Sequence, residues 1–293
     1  VVLGLLSSCS DPKFSASKQE DDLTSPSIQV NQNRTCSDFT LIKPEVDFLF
    51  IWDNSTSTYF INEQTKEALN NTIDMISSRF DYHVMVAPLV GSGNEDAFFI
   101  SENPDGLSSS VINNLKVDRA LASRKLAQIP SAYGSSEAGL ERTVELLENN
   151  MANGVFRQNA YTMVVVMSNE DDTSFNPDNY SYIDPELKQE YLEEHLHKLL
   201  CLRGHYSGSC SGGSLNSQQM RFMSIVPHSK PGTSGCQNVG AGTANQIYKE
   251  MSELIYTADY TDNRDRPSDQ SADSTPDSYD LCHISDFTHI FDG

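Results

Sequence analysis

Apolar residues follow two rhythms along this chain. Phe48-Leu49-Phe50-Ile51-Trp52 and Tyr161-Thr162-Met163-Val164-Val165-Val166-Met167 are short, nearly unbroken runs rich in aromatic and branched side chains. That is the pattern of strands covered on both faces. Tyr82–Val90, Asp96–Ile100 and Phe222–Val226 read as further strands, with Gly91-Ser92-Gly93-Asn94 as a turn between the first two. Between the strands the apolar positions take helical spacing: Ile61, Ala68, Leu69, Ile73, Ile76 and Phe80, then Leu140, Val144 and Leu147, and later Ile247, Met251, Leu254 and Ile255. Asp184-Pro185-Glu186, a cap followed by Pro and an acid, opens another helix through Leu187, Tyr191, Leu192, His195, Leu196, Leu199 and Leu200. Leu107–Leu126 is a mixed helical stretch with a basic end. Strands alternating with helices predict an α/β fold, a doubly wound and mostly parallel sheet with helices on both faces.

Outside this pattern the chain is polar. Residues 1–9 look like the end of a secretory signal, and Leu6-Ser7-Ser8-Cys9 resembles the lipobox of bacterial lipoproteins, in which Cys9 is the lipidated residue. Ser10 after it resembles lipoproteins sent on to the outer membrane. Residues 10–44 read as a polar tether, and 45–293 as one domain with an insertion at about 175–219 and an acidic, Ser-rich loop at about 261–280. The expected location is the bacterial cell envelope, with the membrane reached through the lipid anchor only. No other stretch is apolar for long enough to span a bilayer.

The formal net charge of −21, with no basic block, argues against nucleic-acid partners and favours divalent cations or basic surfaces. With Cys9 lipidated, five cysteines remain, and an exported chain permits disulfides. Cys201 and Cys210 can close a short Gly/Ser-rich loop, Cys236 and Cys282 can tie the segment after the last apolar strand to the C-terminal stretch, and Cys36 is left over. A zinc site competes for these residues, but there is no Cys-x-x-Cys pair. His195 and His197, two apart on a helix, point to different sides and do not share an ion.

Two strand ends carry candidate chemistry. Asp53, Ser55 and Ser57 stand at i, i+2 and i+4 beyond the first apolar run. In an open α/β sheet that carboxyl edge is where ligands bind. One carboxylate and two hydroxyls form a hard, all-oxygen set suited to Mg²⁺, Mn²⁺ or Ca²⁺. Asp and Ser are also good helix caps and turn residues. The run Tyr161–Met167 likewise ends in oxygen donors, Ser168-Asn169-Glu170-Asp171-Asp172-Thr173-Ser174.

Asp53-Asn54-Ser55-Thr56-Ser57 after an apolar strand resembles the Asp-x-Ser-x-Ser signature of von Willebrand factor type A domains and their metal-ion-dependent adhesion site. The resemblance implies a six-stranded sheet with one antiparallel edge strand. It also implies a metal, Mg²⁺ first, that docks a carboxylate offered by an Asp or Glu of a protein partner. Asp53, Ser55 and Ser57 match the signature. The family's loop Thr is missing: counted back from Ala138-Gly139-Leu140 its place falls on Gly134, and Ser135 is the nearest hydroxyl, with Ser136 and Glu137 behind it. Asn169 stands where the family has a final Asp, so that Glu170, Asp171 or Asp172 must compensate for the lost charge. The function expected is a lipid-anchored adhesion or protein-binding module and not an enzyme, since neither a Gly-x-Ser-x-Gly elbow nor a His-Glu-x-x-His pair is present. The alternative is a structural or assembly protein of the envelope with a vestigial metal site.

Overall fold

The structure is a computed structural model that describes residues 43–55, 63–101, 107, 137–174, 184–204, 220–229, 246–259 and 277–281. The expectations for Cys9, Ser57, Ser135, Cys210, Cys236, Cys282, nearly all of the tether and most of the stretch 261–280 lie outside these residues. Six strands form one sheet: β1 (Glu45–Trp52), β2 (Asp81–Pro88), β3 (Phe98–Ser101), β4 (Tyr161–Met167), β5 (Met220–Val226) and β6 (Ser278–Asp280). Their order is β3-β2-β1-β4-β5-β6. All neighbours run parallel except β2 and β3, which pair antiparallel from Val86↔Phe98 to His83↔Ser101. The described helices are α1 (Glu63–Arg79), α2 (Gly139–Met151), α3 (Pro185–Gly204) and α4 (Ile247–Asp259).

β1 explains the unbroken apolar run. Successive side chains of a strand point to opposite faces, so Leu49 and Ile51 join Val164, Val166, Phe222, Leu140, Leu147, Leu192 and Met251 in one core. Phe48, Phe50 and Trp52 join Val165, Met167, Met223 and Ile76 of α1 in the other. Both faces are dry, which removes the polar alternation of a half-exposed strand. On the α1 side Phe48 and Phe50 stack at 6.1 Å and Trp52 follows at 6.5 Å. Each such side chain contributes about 2–3 kcal/mol of burial.

Parallel neighbours need crossover connections, and these set where the helices lie. Two boundaries differ from the sequence reading. The stretch read as an insertion supplies α3, the helix between β4 and β5, whose Tyr191, Leu192 and Leu199 are buried with α2 and α4 residues. β6 begins at Ser278, inside the stretch read as an acidic loop, because a three-residue edge strand, Ser-Tyr-Asp, carries no apolar run to announce it. Asp184 caps α3 as its sequence suggested, its Oδ1 accepting the Glu186 and Leu187 N–H groups at 2.9 and 3.3 Å. Cys201 lies in the last turns of α3, with its sulfur 3.7 Å from His197 Nε2.

The edge opposite the strand C-termini holds a buried ion pair. Asp47 of β1 is fully buried and accepts from Arg157 Nε at 2.9 Å and from the Arg157 backbone N–H. The same guanidinium reaches Asp81 at 3.0 Å, and His83 Nδ1 stands 2.8 Å from the Val155 carbonyl. Burial pushes the Asp47 carboxyl up from its ordinary range, and Arg157 pulls it back. This pair locks the turn before β4 under β1 and β2.

Candidate metal centre

Asp53 is the first residue past β1, and its N–H continues the ladder by donating to the Met167 carbonyl at 2.9 Å. Its carboxyl is therefore delivered to the carboxyl edge between β1 and β4, fully buried. Oδ1 accepts the Ser55 N–H at 2.7 Å, a tight local turn. Oδ2 accepts from the Ser168 hydroxyl at 3.1 Å, and the Asn169 N–H also donates to this carboxylate. The side chain of Asn54 points the other way and pairs twice with Val90, at 3.1 and 2.9 Å, tying the loop to the end of β2.

Glu137 is the second acid of the site. Its backbone is clipped to the loop after β4: Glu137 N–H donates to Thr173 Oγ1 at 3.0 Å and Thr173 N–H to the Glu137 carbonyl at 2.7 Å. The residue is 2% exposed, and Oε2 lies 3.0 Å from the same Ser168 hydroxyl that meets Asp53. The Ser55 hydroxyl bonds both carboxyls as well. Glu170 completes the group. Its N–H donates to Ser168 Oγ at 3.0 Å, its carbonyl lies 2.9 Å from that oxygen, and its carboxyl hydrogen-bonds Glu137.

One hydroxyl proton on Ser168 cannot serve Asp53, Glu137 and the Glu170 carbonyl at once. The shortage shows in the proton affinities. Burial, and then the charges of Asp53 and Glu170, push Glu137 up to about 9. Burial raises Asp53, and burial together with the Asp53 charge raises Glu170. Among the described residues, no Lys, Arg or His stands with the leading influences on these three groups. Carboxyls gathered this closely in a buried place favour a bound proton or cation among them.

The two acids that follow have other work. Asp171 accepts the Gln246 and Ile247 N–H groups at 2.9 Å each and so caps α4. Asp172 Oδ2 accepts the Leu140 N–H of α2 at 3.0 Å, while Oδ1 takes Ser174 N–H at 3.1 Å and Tyr191 O–H at 3.2 Å. Ala138, at the head of α2, has no side-chain cap of its own, and Gly139 N–H donates to Tyr248 Oη at 3.0 Å. Asp171 and Asp172 therefore satisfy helix N-termini. Burial raises both, Asp171 to about 7. Of the three acids expected to make up for Asn169, Glu170 alone faces the Asp53 cluster.

The structure brings Asp53, Ser55 and Asn169 together, with Asn169 fully buried. Ser168 and Glu137 were missed as site residues. Ser168 had a visible signal, being the first polar residue after β4. Glu137 stands behind the expected hydroxyls, two and three residues past Ser135 and the Gly134 position, where no family signature marks an acid. The donors are hard oxygens throughout, which fits a divalent cation and not zinc or copper. Among the described residues no group of three or more His, Cys, Asp and Glu side chains is set out as a metal cage. The oxygens brought together here are the Ser55 and Ser168 hydroxyls and the Asp53 and Glu137 carboxyls.

Sheet order, a single antiparallel edge strand and an oxygen-lined carboxyl edge between β1 and β4 define a von Willebrand factor type A-like fold. No family model matches the chain, and no curated protein sequence matches it. Among solved structures it is similar to a von Willebrand factor type A protein from Catenulispora acidiphila, with 12% identity, a TM-score of 0.34, and coverage of 74% of this chain and 37% of that one. Two crystal structures of proximal thread matrix protein 1 from the mussel byssus align with 12% and 13% identity, TM-scores of 0.35 and 0.31, and 74% of this chain against 48% and 45% of theirs. The chain spans less than half the length of each of these structures, and the fold rests on the topology, not on these scores.

Proposed function

We propose that the domain is an adhesion or protein-binding module that holds a divalent cation, with Mg²⁺ the first candidate and Mn²⁺ or Ca²⁺ the alternatives, at the carboxyl edge between β1 and β4. Asp53 supplies charge, Ser55 and Ser57 supply hydroxyl oxygens, and Ser135 and Asn169 remain candidates for the outer positions. The cation offers a docking point to an Asp or Glu carboxylate of a protein partner, and no covalent chemistry is assigned to it. Lipidation of Cys9 would hold the module at the bacterial cell envelope, on the outer membrane, clear of the lipid by the length of the tether. The observation that carries this reading is the convergence of the buried Asp53 and Glu137 carboxyls on one hydroxyl, Ser168.

Calorimetric titration with Mg²⁺, Mn²⁺ and Ca²⁺, alongside thermal unfolding in chelator, tests it, because an ion that binds only the native state must raise its stability. Saturable binding that is lost in a folded Asp53→Ala variant is the expected result. Unchanged affinity in that variant would refute the assignment. A second reading, a structural protein of the envelope with a vestigial site, draws on the use of Asp171 and Asp172 as helix caps. It predicts no saturable binding of any of the three ions and partner capture indifferent to chelator.

A further inference from the structure

We infer that Glu137 is a built-in ligand: the chain places its own carboxylate where an incoming acidic ligand would have to bind, so that such a ligand docks only by displacing Glu137. The inference rests on the cation reading above and concerns what that site admits.

Three observations carry it. Asp53 and Glu137 share two hydroxyl neighbours, Ser55 and Ser168, and therefore face the same small volume. Glu137 is not a passing surface side chain, since its backbone is held by the paired contacts with Thr173 and the residue is 2% exposed. The helix that follows it is fixed at its first residues, Gly139 by Tyr248 and Leu140 by Asp172, so the residue cannot drift off the site without breaking these bonds.

Charge then decides the consequence. One carboxylate and neutral hydroxyls leave a divalent ion with net positive charge, which attracts an acidic ligand. Asp53 and Glu137 together cancel that charge, and Glu170 stands beside them. A further carboxylate brought into this buried space meets like charges at low dielectric with no surplus cation to offset them. The chain keeps its ion and excludes free carboxylates, and Glu137 sets the threshold for an acidic partner.

The test uses Mn²⁺ as the probe ion and water-proton relaxation as the readout, on the full chain and on Glu137→Ala and Glu137→Gln. In the unaltered protein bound Mn²⁺ should carry few exchanging waters, and added acetate should leave the relaxation unchanged. Glu137→Ala should bind Mn²⁺ about tenfold more weakly, since ligand charge sets affinity at oxygen sites. It should also show higher relaxation per bound ion and lose that gain on addition of acetate. Glu137→Gln, which keeps the side-chain shape, should move the same way and serves if the Ala variant does not fold. Mn²⁺ binding that depends on Asp53, with relaxation and acetate response alike in all three proteins, would overturn the role of Glu137 and leave the cation site standing. Absence of Mn²⁺ binding in the unaltered protein would overturn both.

Discussion

Gly139→Ala is a small change with a large expected effect. A Cβ on Gly139 would lie 2.3 Å from Tyr248 Oη and 2.7 Å from its Cε1 and Cζ. Tyr248 is fully buried on α4 and cannot swing into solvent. Overpacking of this kind costs about 1–3 kcal/mol. Pushing the phenol away also stretches the 3.0 Å bond from the Gly139 N–H, about 1 kcal/mol more. Against this, Ala is the better helix former by up to about 1 kcal/mol, an advantage of the helix interior. The net is about 2 kcal/mol, or about 4–8 °C in Tm for a domain of this size. Thermal unfolding followed by circular dichroism reads the shift, and Tyr248→Phe supplies the control because it removes the nearest atom. The double variant should be less destabilised than the sum of the two singles by at least about 0.5 kcal/mol. A Gly139→Ala protein with unchanged Tm, or strict additivity with Tyr248→Phe, would refute this account of how α2 is seated beside Glu137.

Other outcomes follow from the buried charges. Glu137 and Asp171, at about 9 and 7, bind protons more tightly folded than unfolded, where their ordinary values are 4.5 and 3.8. Stability in chelator should fall as pH rises, by up to about 1.4 kcal/mol per pH unit for each group, with Asp171 contributing up to about pH 7 and Glu137 up to about pH 9. Denaturant unfolding from acid to mildly alkaline pH checks the slope, and a flat or rising profile would show that Glu137 is not held neutral. Arg157→Ala leaves the fully buried Asp47 without its partner and should cost about 3–5 kcal/mol. A loss below about 1 kcal/mol in equilibrium unfolding would mean that the pair does not lock the turn before β4.

Much of the scaffold could be read from the chain because its signals are local. β1 and β4 are apolar runs whose ends are sharp, and Asp184-Pro185-Glu186 contains both the cap and the groups it satisfies. The site was legible only where its residues are neighbours, as in Asp53 and Ser55. Asp171 and Asp172 looked like spare metal ligands because the N–H groups they accept lie 75 and 32 residues away. Nothing local announces the partner of Asp47, since Arg157 is 110 residues further on. Glu137 reaches Ser168 across 31 residues, and no spacing rule announces that its carboxyl turns inward. β6 failed to show because an edge strand of three polar-leaning residues needs neither periodicity nor length.

The loop after β4 divides its labour residue by residue: Glu170 belongs to the Asp53 cluster, Asp171 holds α4 and Asp172 holds α2. Three adjacent codons for acids therefore answer to different selections. In a randomised library sorted only for display on cells, substitutions at positions 171 and 172 should disappear with the misfolded clones, while those at 170 survive. Sorting the survivors for cation-dependent capture would then remove the changes at 170. The order in which neighbouring codons are purged would separate the residues that build the domain from the one that faces the Asp53 cluster.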